Sequence, residues 1–227
     1  MPNKRIFEID FLKATAIIMM VIFHIVYDLN EFIGIEVNYS TGFWHWFGRI
    51  AAFLFILLAG INSGFSNNPT KRGIIVLGFG VCVTMVTFIF LRNEYVRFGI
   101  LHFLGVSMIA SSYLKRINNW VLLIIATAII LSVNFGSILT GTNPLIFFEN
   151  IFGGTSIDYY PLFPYISLFI FGILAYKIFY YKRNSILNLN LKNKAIYLIS
   201  KYSLFIYLIH QPIIIGVIFL FKFILNN

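Results

Sequence analysis

The sequence predicts an all-α integral membrane protein, a single bundle of about seven transmembrane helices with a cytoplasmic N-terminus and an external C-terminus. Three observations predict it. Across 227 residues the chain is 59% hydrophobic, 19% aromatic and only 11% charged, more apolar surface than a soluble domain could cover with water. Stretches free of Lys, Arg, Asp and Glu run 14–27, 50–70, 73–91, 98–114, 117–148, 159–176 and 202–221, and a helix needs about 20 residues to cross hydrocarbon. The basic residues, finally, gather at alternate ends of these stretches.

The first helix is expected at 9–29. The leading Met1–Glu8 is too short and polar for a signal peptide, and no small-residue cleavage site follows the apolar run, so this helix is retained as a signal anchor. The second, 44–65, opens on Trp44-His45-Trp46, an interfacial aromatic belt. The third, 72–91, carries the single cysteine, Cys82, read as a packing residue; one cysteine excludes an internal disulfide and a thiolate metal cluster. Gly78 and Gly80 in the same helix read as packing glycines. The fourth and fifth are expected at 97–114 and 119–136, and the sixth at 160–180. The seventh, 202–223, contains Pro212, which removes a backbone hydrogen bond and predicts a kink. The longest connections are 30–43, 137–159 and 181–195, and with no repeat or heptad array 1–227 reads as one transmembrane domain.

Lys4, Arg5, Lys71, Arg72, Lys115, Arg116, Lys182, Arg183, Lys192, Lys194 and Lys201 lie at alternate helix ends, with Lys13 and Lys177 just inside them. The opposite loops hold Glu31, Glu36, Glu94, Glu149 and Asp158. The positive-inside rule therefore sets 13 of the 17 basic residues on the cytoplasmic side. The net charge of +9 reads as topology and contact with anionic membrane lipid, with no call for nucleic acid.

Function enters through the first helix. Asp10, Lys13, His24 and Asp28 share one face: at 100° per residue the 11-step from Lys13 to His24 overshoots three turns by about 20°, and the 14-step from Asp10 undershoots four turns by about 40°. Ionisable groups in a span are expensive and face protein or water, so the stripe marks a polar interior surface. With the helix starting near residue 9, His24 lies roughly 22 Å from the inner end, in the outer half of the bilayer. Arg49, Arg97, His102 and Asp158 belong to the same outer side, forming a candidate acceptor pocket. Asp10, Lys13, Lys71 and Arg72 belong to the inner side, and His210 lies a few residues into the last helix. Arg49, inside an apolar helix, calls for an anionic partner. The four histidines lie on four helices without HExxH or HxH spacing, so no metal site is expected, and there is no P-loop or GxSxG elbow.

Four segments carry a family resemblance: RIFEIDFLKATAIIMMVIFHIVYDL at the start, FGILHFLGVS in the middle, then DYYPLFPY and SLFIYLIHQP. In this order, over almost the whole chain, they resemble the heparan-alpha-glucosaminide N-acetyltransferase catalytic-domain-like proteins, a branch of the transmembrane acyltransferases. The resemblance implies a multi-helix enzyme of the cell membrane that takes acetyl from cytoplasmic acetyl-CoA, as co-substrate, and delivers it to a sugar or glycan hydroxyl or amine at the far face. Beside that resemblance, His24, backed by Asp28, is read as catalytic, and Lys13, Asp10, Lys71, Arg72 and His210 are read as acyl-CoA-binding. Two departures stand out. Where the family pattern reads Arg-Gly after the first aspartate, this chain has Lys13-Ala14, which keeps the charge but loses the guanidinium fork. The catalytic histidine of the lysosomal branch lies in the next outer loop and has no clear counterpart here.

An imidazole beside a carboxylate suits general-base catalysis, with Asp28 orienting the ring of His24, and the same ring can instead accept the acetyl group covalently. The plainer alternative makes the pair an interhelical hydrogen bond. Two other functions fit the stripe: a small transporter or proton-coupled permeation protein, and a catalytically silent membrane scaffold. A homo-oligomer is compatible with all of them.

Overall fold

The computed structural model describes residues 6–92, 95–140, 158–187 and 193–225. Lys4, Arg5, Glu94, Glu149, Lys192 and most of the 137–159 connection lie outside them. The described residues are all-helical apart from one isolated bridge, Phe98 to Tyr159. The helices are α1 (Phe7–Asp28), α2 (Gly42–Phe65), α3 (Pro69–Leu91), α4 (Ile100–Leu114), α5 (Asn119–Thr140), α6 (Leu162–Ala175), α7 (Lys194–Lys201) and α8 (Ser203–Leu225). Turns of π-helix extend α1 through Leu29–Ile33 and α6 through Tyr176–Tyr180.

Five of these are long and apolar enough to cross a membrane: Phe7–Ile33, Gly42–Phe65, Pro69–Phe90, Leu162–Tyr180 and Ser203–Ile224; α4 and Asn119–Ser132 are shorter apolar helices. The seven expected spans thus all appear as apolar helices, in a multi-pass membrane protein. Their outward faces are covered with side chains such as Ile89, Phe90, Phe221 and Phe223, which water would penalise and lipid accepts.

Chain ends and glycines fix the boundaries. Glu8 and Asp10 fall in the first turn of α1, where carboxylates favour the positive end of the helix dipole. Its far end is closed by Gly34 in the left-handed conformation, φ 81°, with the Gly34 amide donating to the Asn30 carbonyl at 3.1 Å. Asn68 caps α3 by accepting from the Lys71 amide at 3.0 Å, with Pro69 at the first helical position. Helix α7 lies within and just after what the sequence suggested as a connection. Asn193 caps it, accepting from the amides of Ala195 and Ile196; its mixed polar and apolar faces give no membrane-span signal.

The chain divides into two compact units, Met1–Phe55 with Arg183–Asn227, and Ile56–Lys182. In the first, α1 packs on α7 and α8. Buried Glu8 accepts from the Ser185 hydroxyl and the Ile186 amide, both at 2.7 Å, and Asp10 accepts from Ser200 at 2.5 Å, so the start of α1 is tied to the segments before α8. In the second, α3 packs on α4, and α6 on both α4 and α5. The last part of α2 crosses α6 at Gly60 and Gly172; a side chain on either would collide with the backbone of the other helix.

Helix α4 starts three residues later than expected because 97–99 are held extended. Phe98 bridges Tyr159, the Tyr160 amide donates to the Phe98 carbonyl at 3.0 Å, and Asp158 accepts from the Ile100 amide at 3.2 Å. Asp158 is therefore the N-terminal cap of α4, supplied from a distant stretch of sequence. Gly99 is required there, since a side chain would strike the Asp158 carboxylate.

Candidate active site

Two helices of the first unit bring the polar side chains together. On α1, His24 Nδ1 lies 2.9 Å from the Met20 carbonyl one turn back; on α8, His210 Nδ1 lies 2.5 Å from the Tyr207 carbonyl. A carbonyl only accepts, so in each ring the proton sits on Nδ1 and, in the neutral imidazole, the lone pair sits on Nε2. The two rings meet edge to face, centroids 4.8 Å apart at 74°. His210 is buried, and its Nε2 has no hydrogen-bond partner among the described residues.

One turn further along α1, Asp28 is fully buried. Gln211, next to His210 on α8, donates its Nε2 to both Asp28 oxygens at 2.9 Å, while its Oε1 is buried without a hydrogen bond among the described residues. This corrects the expectation that Asp28 orients the ring of His24. Helical side chains lean toward the N-terminus, which sends the His24 ring to Met20 and leaves the Asp28 carboxylate to the amide on the facing helix. Asp28 fixes the register of α1 against α8, and that register sets the imidazole pair. Helix α8 runs through Pro212 without interruption.

The remaining sequence candidates are distributed differently. Asp10 is bound to Ser200, and Lys13 is half-buried on the same helix. Lys71 and Arg72 are exposed in the first turn of α3. Arg49 is exposed on α2, and the anionic partner expected for it is absent among the described residues. Cys82 lies on the exposed face of α3, not in packing as expected, because the buried face of that helix is taken by Gly73, Val76 and Gly80. In the second unit, Arg97 stacks over the Tyr95 ring at 5.2 Å, and Asp158 caps α4. Buried His102 has Nε2 3.3 Å from the Thr84 hydroxyl, and its Nδ1 is pressed against α3, where a Cβ on Gly80 would stand 3.1 Å away. Burial raises the Asp158 carboxyl to about 6, against the lowering effect of the hydrogen bond from Ile100. No cluster of three metal-ligating side chains occurs among the described residues.

Sequence reasoning did not anticipate Gln211 as the partner of Asp28, or Glu8 as a buried anchor. The available signal for Gln211 was an amide inside an apolar span, which needs an interhelical partner.

The class defined here is a multi-pass helical membrane protein with an imidazole pair and a buried carboxylate–amide clamp between two of its helices. Residues 5–212 match the sequence model of the family described as heparan-alpha-glucosaminide N-acetyltransferase, catalytic, and the chain belongs to that family. The matched region contains the whole His24, Asp28, His210 and Gln211 cluster. No curated protein and no solved structure gives a match.

Proposed function

We propose that this protein is a transmembrane acetyltransferase that takes acetyl from acetyl-CoA on the cytoplasmic side of the cell membrane. It delivers it to a hydroxyl or amine of a sugar or glycan on the other side. Family membership supports an acyltransferase-type enzyme. The observation that carries the reading is the pairing of half-buried His24 with buried His210, with both Nδ1 atoms committed to carbonyls and both basic Nε2 atoms left for chemistry.

In this reading an Nε2 lone pair takes the proton from the acceptor as its oxygen or nitrogen adds to the thioester carbonyl. The tetrahedral adduct collapses with cleavage of the C–S bond, and the imidazolium returns the proton to the departing thiolate. Acetyl thus moves from sulfur to oxygen or nitrogen with no further reactant. Asp28 and Gln211 are positioning residues, acting through the register of α1 and α8. Lys13 lies eleven residues before His24, about 16 Å along the helix, so a donor with its charged end near Lys13 would carry its thioester toward the imidazoles. Asp10 belongs to that donor side, and the N-terminus is cytoplasmic.

The test is acetyl-CoA binding by the purified protein in detergent, followed by thiol release on addition of amino sugars and oligosaccharides. Binding is expected, weakened in Lys13→Ala and retained in Lys13→Arg. Folded protein that binds no acetyl-CoA would sink the reading.

A further inference from the structure

The second unit holds an open pocket of about 400 Å³, lined by Gly64, Lys115, Asn119, Tyr176, Lys177 and Tyr181. It is formed where the end of α2, the α4–α5 turn and the π turn after α6 come together, and none of these residues belongs to the imidazole cluster. Its construction is specific. Residues five apart on an α-helix point about 140° away from each other, but the i→i+5 closure of a π turn brings them near one another. Tyr176 and Tyr181 accordingly face each other with ring centroids 6.3 Å apart. Gly64 makes room for the Tyr176 ring, which a side chain there would strike.

The pocket is cationic and has no carboxylate to balance it. Lys115 donates to the Ser66 carbonyl at 2.9 Å and Lys177 to the Ile117 carbonyl at 2.5 Å. An ammonium has three hydrogens, so two on each lysine remain to be used. Among the described residues of Ile56–Lys182 the one carboxylate is Asp158, which caps the opposite end of α4, fifteen residues from Lys115 and so about 22 Å away. Around the pocket Tyr113, Trp120 and Tyr181 are 72%, 73% and 70% exposed, as aromatics are at the interface of a bilayer. Ile178 and Phe179 beside them are exposed as well.

We propose that this pocket binds the headgroup phosphate of an anionic phospholipid from the leaflet at the basic helix ends. Lys115 and Lys177 donate to the phosphate oxygens, Asn119 and the tyrosines flank the headgroup, and the acyl chains run along the exposed aromatic face. A phosphate carried by a nucleotide shares this chemistry, and the apolar surround favours the lipid.

The experiment is native mass spectrometry of the purified full chain with phosphatidylglycerol or phosphatidylcholine, with and without adenosine 3′,5′-bisphosphate. Phosphatidylglycerol should be retained over phosphatidylcholine. Lys115→Gln and Lys177→Gln should each weaken it about tenfold, the value of one hydrogen bond to a charged group. Asn119→Asp adds a carboxylate to the pocket at the first turn of α5, where it favours the helix dipole, so it should weaken lipid retention without lowering the melting temperature. That variant carries the test if a lysine variant does not fold. Arg116→Gln, an equal charge change on an exposed neighbour outside the pocket, should leave retention unchanged. The proposal is overturned if Asn119→Asp binds like wild type, if Arg116→Gln weakens retention as much as the pocket variants, or if the bisphosphate displaces the lipid.

Discussion

Two buried histidine neighbourhoods, one in each unit, use the same residue types to opposite ends. In the second unit the carboxylate of Asp158 is spent on a backbone amide at the start of α4, and the ring of His102 is wedged between Thr84 and the glycine face of α3. In the first unit the backbone carbonyls take only the Nδ1 protons, while the carboxylate of Asp28 is met by a side-chain amide from another helix. The basic nitrogens there are directed away from the backbone. His102 also keeps a ring nitrogen, Nδ1, without a hydrogen-bond partner among the described residues, but Gly80 closes over it, whereas the rings of His24 and His210 meet each other.

The contrast is broken most forcefully by removing the rings. His24→Ala should lower acetyl transfer by about 10²- to 10⁴-fold, the range of a general base, while acetyl-CoA binding persists. His102→Ala should instead leave transfer near wild type and lower the melting temperature; equal losses of transfer from the two would erase the distinction. A smaller effect is expected for Asp28→Asn, which disturbs the clamp on Gln211 but leaves both rings in place. Turnover should fall about tenfold, the worth of one hydrogen bond to a charged group, with folding retained by size-exclusion chromatography.

The mildest test sharpens the structural role of Asp158. Its carboxyl is raised in the folded protein from 3.8 to about 6, so between those values the native state keeps a proton that the unfolded chain has released. Stability from this group therefore falls as pH rises through that window and is flat above it. Melting curves of wild type in detergent should show that slope, and Asp158→Asn, which keeps an oxygen for the Ile100 amide, should reduce it. An unchanged slope in the variant would assign the pH dependence elsewhere.

Much of this was legible in the sequence, for reasons that also mark where reading stopped. Crossing a bilayer imposes length and hydropathy on a helix, so the seven spans could be read directly, and the His24 stripe follows from helical periodicity alone. The register between helices is not local. That His210 meets His24, and that Gln211 and not His24 engages Asp28, depends on how α8 slides along α1. Helix α7 was missed because its polar face lowers its hydropathy. The extended 97–99 was missed because its partners, Asp158 to Tyr160, lie about sixty residues away. In retrospect the two motifs FGILHFLGVS and DYYPLFPY are the two halves of that one capping structure.

In the proposed reaction the acetyl group is transferred at the imidazole pair on α1 and α8. A cryo-EM map of the protein with acetyl-CoA tests it most directly. Density is expected whose thioester sulfur lies beside the rings of His24 and His210, with the nucleotide toward Lys13. A thioester lodged against His102 and Asp158, with the His24 and His210 rings untouched, would contradict it.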